Sequence, residues 1–168
     1  MIFEKSFSDL SEKETELLNS YFDGFDYQSS GHTFLANYIW RNTHDLSWQE
    51  IGDYLCVAGL GTMETGKKEY FMSFPLTKTG GYDADSVRRT IDAAREIFLE
   101  QGKTFRLGLI PRPLLPAARE AFGDSAELIH ERDDDDYIYL REDLVNLSGR
   151  KYHQKKNHLN YFLRNYDF

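Results

Sequence analysis

The chain of 168 residues has a formal net charge of -8, with 40% hydrophobic, 15% aromatic and 29% charged residues. That length fits a single domain with one core, and so many Tyr and Phe exclude a disordered chain. The acidic balance excludes broad affinity for nucleic acid or anionic membranes, which rests on excess Lys and Arg.

The opening MIFEKSFSDL lacks the basic-then-apolar order of a signal peptide. No apolar run approaches the ~20 residues that span a bilayer, so a cytoplasmic protein is expected. Ser11 with Glu14 forms a capping-box pattern ahead of Leu17, Leu18, Tyr21 and Phe22, and Gly24 supplies a stop. After the break QSSG, the residues Phe34, Leu35, Tyr38 and Ile39 predict a second helix with one apolar face that fades at Arg41 and Asn42. From Ser47 the period changes from 3.6 to 2. The runs SWQEI, YLCVAGLG and EYFMSFPL, separated by Gly52-Asp53 and METGKK, predict an antiparallel meander.

Asp83 or Asp85 then caps a helix carrying Val87, Ile91, Ala94, Ile97 and Phe98, which Gly102 closes. Phe105, Leu107 and Leu109 alternate as a strand, PLLPAAREAFG reads as a helix, and AELIHE and DYIYL read as two further strands. GRKYHQKKNHLNYF, residues 149–162, reads as a final basic helix. No repeat or linker divides the chain. The order predicts an α+β fold with a mixed, mainly antiparallel sheet flanked by helices.

Three stretches, SSGHTFLANYIWR at 29–41, ERDDDDYIY at 131–139 and LSGRKYHQKKNHLNYF at 147–162, together resemble the family named for the phosphatidylglycerol lysyltransferase C-terminal domain. The element order is likewise similar to an acetyltransferase-like (GNAT) fold. The resemblance implies two tandem acetyltransferase-like modules in a chain about twice this length. This sequence would then be the first module, residues 1–147, with the basic junction helix at 148–168. It also implies relatives that move an aminoacyl or acyl group, in the characterised branch from aminoacyl-tRNA to a lipid.

An acyl-coenzyme A transferase of this fold needs successive backbone N–H groups in a Gly-rich turn between strand and helix. The turn after Leu109-Ile110 reads PRPLLP. Pro111, Pro113 and Pro116 have no N–H to give and no glycine lets a phosphate approach, so no cofactor is expected in this module. Residues 133–136, four consecutive aspartates, read either as a solvated turn or as crowded carboxylates for base or cation work. The calcium-loop pattern is absent. His32, His44, His130, His153 and His158 show no i, i+4 ligand pair, and no G-x-S-x-G elbow occurs. A metal site is not expected. Cys56, within YLCVAG, reads as a buried hydrophobe.

Tyr38 and Trp40 either belong to the core or line a pocket in which Arg41 grips a carboxylate or phosphate. On the final helix, Tyr152, Leu159, Phe162, Leu163 and Tyr166 fall within about 100°. Lys151, Lys155 and His158 border this stripe on one side, and Lys156, His153 and Arg164 on the other. Residues 148–168 hold five cations against Asp167, a balance of +4 that leaves -12 for the remainder. The helix therefore covers its own domain, meets a second module or a second copy, or binds RNA, a phosphate-bearing ligand or an anionic membrane surface. The reading adopted is a transferase module that shapes a substrate groove and is inactive alone, with Arg41, Lys155, Lys156, Asn157 and His158 as substrate-binding residues. The alternative is a non-catalytic binding domain, which includes a tRNA-contacting element.

Overall fold

The computed structural model describes residues 7–24, 29–62 and 66–167. Outside the described residues lie the start before Phe7, Gln28 of the QSSG break, residues 63–65 of the METGKK turn and the Asp133 side chain. The chain divides into two compact units, residues 1–134 and 135–168.

The first unit is a mostly antiparallel open sheet flanked by helices, an α+β fold consistent with the acetyltransferase-like arrangement. Strands β1 (Ser8–Asp9), β2 (Ser47–Ile51), β3 (Tyr54–Thr62), β4 (Lys68–Ser73) and β6 (Leu107–Gly108) lie side by side in that order. β5 (Leu76–Thr77) extends the ladder on β3. The run YLCVAG is apolar without alternation because β3 sits in the middle of the sheet, and Tyr54 to Ala58 are all buried. Along β3 the pairing Ala58 with Met72 changes to Leu55 with Leu76, a register shift of one residue. Phe74 and Pro75 absorb the extra residue, where Pro75 has no ladder N–H to lose. β4 and β6 pair in parallel through Met72–Leu107 and Ser73–Gly108.

Helix α1 (Thr15–Phe22) follows a 3-10 turn in which the Ser11 hydroxyl accepts from the Lys13 N–H and Glu14 reaches back to the Ser11 N–H at 3.2 Å. Its Leu18, Tyr21 and Phe22 are buried. Helix α3 (Ala84–Glu100) starts where the Asp83 carboxylate accepts the Ser86 N–H at 2.8 Å. It buries Val87, Ile91, Ala94 and Phe98, one residue per turn of a single face. Phe98 makes edge contacts with Phe7 and Phe105 at 6.3 and 5.1 Å. Helix α4 (Leu115–Phe122) lies beside α3 through Ala118 and Ala121, and Arg88 Nε donates to the Ala121 carbonyl at 2.8 Å.

Three sequence expectations differ from what the structure adopts. Helix α2 (Phe34–Trp40) forms, but Leu35, Ile39 and Trp40 are exposed, so only Phe34 of the expected stripe packs on the core. The strand around Leu107 ends at once, because Leu109 adopts a left-handed φ of 49° and stands exposed. AELIHE and DYIYL do not form strands: no ladder includes them, and Ile129, Tyr137 and Ile138 are exposed. An extended segment gains little without a neighbour to take its N–H and C=O groups.

The second unit holds helix α5 (Arg141–Asn146), which the sequence reading missed, and the basic helix α6 (His153–Asn165), which a 3-10 turn at Arg150–Tyr152 introduces. Asp143 in the first turn of α5 ties them together. Its Oδ2 accepts from the Tyr152 hydroxyl at 2.9 Å and from Lys151 Nζ at 3.1 Å. Tyr152 is buried and its ring lies 6.4 Å from that of Tyr139. No described helix is long and apolar enough to cross a membrane.

Candidate functional site

The first unit has a cleft of about 640 Å³ where three pieces of chain converge: the end of α1, the β2–β3 turn and the loop from β5 into α3. Gly24 lets the chain after α1 come this close, since a Cβ there would sit 2.8 Å from the Lys78 carbonyl oxygen. Tyr21 contributes from α1, Glu50 and Asp53 from the hairpin, and Lys78, Tyr82 and Asp83 from the loop, which contains Gly80 and Gly81.

The charged groups of the cleft are already partly matched. The Tyr21 hydroxyl donates to Glu50 Oε1 at 2.5 Å, and Lys78 Nζ stands 3.5 Å from the same oxygen and 4.6 Å above the Tyr21 ring. Burial, and then the hydrogen bond to Glu50, hold the Tyr21 hydroxyl protonated far above the usual tyrosine range. Asp83 is occupied as the cap of α3. The Ser86 N–H keeps its carboxyl below the ordinary aspartate range. Three carboxylates thus face one ammonium, so the lining favours neutral or cationic groups and repels an anion.

A Gly-rich strand-to-helix turn is the usual place for a phosphate, yet here the α3 N-terminus meets its own aspartate and two more acids. The other such turn, from β6 into α4, is PRPLLP, with prolines in its first helical turns and Leu109 already left-handed. The strand-to-helix turns into α3 and α4 therefore lack what a pyrophosphate needs. The sequence reading tested only the second. The signal for the first was the segment KTGGYD ahead of a well-capped helix.

The expected substrate-binding residues fall in different units. In the first unit Arg41 caps α2, its guanidinium 3.6 Å over the Tyr38 ring and donating to the Tyr38 carbonyl. The Tyr38 hydroxyl donates to Glu12 at 2.8 Å, which raises its pKa. In the second unit Lys155, Lys156, Asn157 and His158 form one exposed turn of α6. Lys155 Nζ lies 5.2 Å over the Tyr139 ring, and Asn157 Nδ2 stands 3.4 Å from His153 Nδ1. Between His153 and Asn165 the helix has no Asp or Glu.

Other reactive groups are held in structural roles. Cys56 is fully buried, and burial pushes its thiol up to about 12, out of nucleophilic range. Within the acidic stretch, residues 132–134 form a 3-10 turn, and Glu131 pairs with Arg106 at 2.8 Å. Among the described residues no three His, Cys, Asp or Glu side chains converge to hold a metal ion.

A model of the family described as phosphatidylglycerol lysyltransferase, C-terminal, matches residues 22–168. A solved structure of a conserved protein of unknown function from Bacteroides thetaiotaomicron superposes with a TM-score of 0.73 at 21% identity, over 95% of this chain and 50% of that one. At that identity the likeness shows the fold alone, and the chain spans about half the length of that relative. No curated protein matches.

Proposed function

This chain belongs to the phosphatidylglycerol lysyltransferase C-terminal family, a domain of transferase type, and from that premise we propose that it shapes the substrate groove of an acyl or aminoacyl transferase and turns nothing over alone. One observation carries the reading: the strand-to-helix turns into α3 and α4 are each ill-suited to an anionic donor. Acids occupy one and prolines the other. The donor's phosphates then bind on a second acetyltransferase-like module or a second copy of this chain. This domain contributes Arg41 from α2 and Lys155, Lys156, Asn157 and His158 from α6 to the substrate, and acts in the cytoplasm.

Isothermal titration with acetyl-coenzyme A tests the donor half of the proposal. No heat is expected at ligand concentrations up to about 100 µM, well above a micromolar Kd. Micromolar binding to the chain alone would overturn it. The exposed turn Lys155–His158 supports a second reading, contact with RNA or another phosphate-bearing ligand. That reading expects salt-sensitive RNA binding that Lys155→Ala with Lys156→Ala weakens. Absence of binding at low salt removes it.

A further inference from the structure

The cleft of the first unit already seats a cation of its own. Lys78 Nζ stands 4.6 Å over the Tyr21 ring and 3.5 Å from Glu50 Oε1, so an aromatic face and a carboxylate hold one ammonium together. The side chains of Lys78 and Glu50 are 45% and 39% exposed. Solvent therefore reaches this seat, and Lys78 can leave it without disturbing the core. Beyond the seat, Asp53 lines the cleft from the β2–β3 turn and Asp83 from the start of α3. The rings of Tyr54 and Tyr82, 6.0 Å apart, add aromatic wall.

Charge and shape narrow what can enter. Three lining carboxylates against one lysine leave a surplus of negative charge, which grows when Lys78 is displaced. Among the described residues no three His, Cys, Asp or Glu side chains converge to hold a metal ion. Acids spread over separate pieces of chain match several spaced cations better than one ion. A primary ammonium brings three N–H donors for Glu50 and its neighbours, whereas a quaternary one brings none. Alkyl segments between ammonium groups can lie on tyrosine rings as lysine stems lie on apolar surface. A volume of about 640 Å³ also suits a small molecule.

We infer that the cleft binds a linear alkyl polyamine, one primary ammonium of which takes the place of Lys78 between Tyr21 and Glu50 while another meets Asp53 or Asp83. The inference goes beyond the groove reading and does not need it. Among the described residues neither Arg41 nor Lys155 to His158 lines the cleft, and no group transfer is involved. Lys78 is then a built-in competitor, so removing this lysine should strengthen the binding of a cation.

Isothermal titration of spermidine into the whole chain at about 50 mM salt tests the inference, with a Kd below about 1 mM expected. Lys78→Gln empties the seat and should tighten binding about 2–5-fold. Glu50→Gln keeps an acceptor for the Tyr21 hydroxyl and should weaken binding by about the same factor. Lys13→Gln and Glu96→Gln make the same charge changes at exposed positions outside the cleft lining and should leave the Kd unchanged. Hexamethonium, a dication without N–H groups, should bind more weakly than hexamethylenediamine, its primary-amine counterpart. Absence of spermidine binding overturns the inference, as does a Lys78→Gln variant that binds no more tightly. Equal effects of Glu50→Gln and Glu96→Gln also overturn it, because the overall charge of -8 would then explain the binding. So does equal affinity for the two dications. Should circular dichroism show that Glu50→Gln unfolds the chain, the Lys78→Gln result decides.

Discussion

Helices α3 and α6 have similar sequence signatures and opposite fates. Each shows a stripe of large apolar residues at helical spacing. In α3 the stripe closes on the sheet, where Val87, Ile91, Ala94 and Phe98 lose all or nearly all contact with water. In α6 the residues Leu159, Phe162, Leu163 and Tyr166 keep about half of theirs. Both helices are amphipathic, but α3 buries its stripe far more fully. Most helical stability in proteins comes from packing of that face, so α3 should be the more stable of the two.

The largest effects should separate the two helices. Phe98→Ala removes a fully buried ring from between Phe7 and Phe105 and should cost about 3–5 kcal/mol in urea unfolding. Leu163→Ala in dilute solution should cost under about 1 kcal/mol, since the side chain is half exposed before truncation. Equal costs would break the contrast. Asp83→Ala, which deletes the cap of α3, should cost roughly 1 kcal/mol. Asp83→Asn should recover part of that loss, because the amide oxygen still accepts the Ser86 N–H.

The smallest effect concerns pH and the second unit. The Asp143 carboxyl is held below its ordinary range, first by Lys151 and then by the Tyr152 hydroxyl. A carboxylate whose folded pKa is depressed contributes stability above its unfolded pKa of about 3.9 and loses it as pH falls through the lower folded value. Tyrosine emission from the second unit of a Tyr152→Phe variant should therefore depend less on pH below about 4 than that of the unaltered chain. Identical acid profiles would show that the Asp143–Tyr152 contact does not tie α5 to α6. The contact is exposed enough that the difference should be small.

Much of the fold was legible because its signals are local. The Ser11–Glu14 box, the Asp83 cap and the stop at Gly102, whose φ is 68°, each act within a few residues. The buried central strand showed as the unbroken run YLCVAG. What was not legible depends on distant partners. AELIHE and DYIYL have strand-like composition but find no ladder, and α5 is too short and charged to show a period. Leu109 continues the apolar alternation of Phe105 and Leu107, yet its left-handed backbone ends the strand. The cleft was missed because Glu50 stands 29 residues from Tyr21 and 28 from Lys78, so the three meet only once the hairpin and α1 have docked. Of the expected binding residues, Lys155 to His158 share a helix turn, as spacing requires, and the hold of Tyr38 on Arg41 is an i, i+3 contact.

Amide hydrogen exchange on the whole chain tests the contrast between α3 and α6 most directly. The account predicts that the inner amides of α3 are slow, near the limit set by global unfolding. Those of α6, whose apolar residues keep about half their exposure, should exchange at least several-fold faster. Amides of α6 as slow as those of α3 would contradict it.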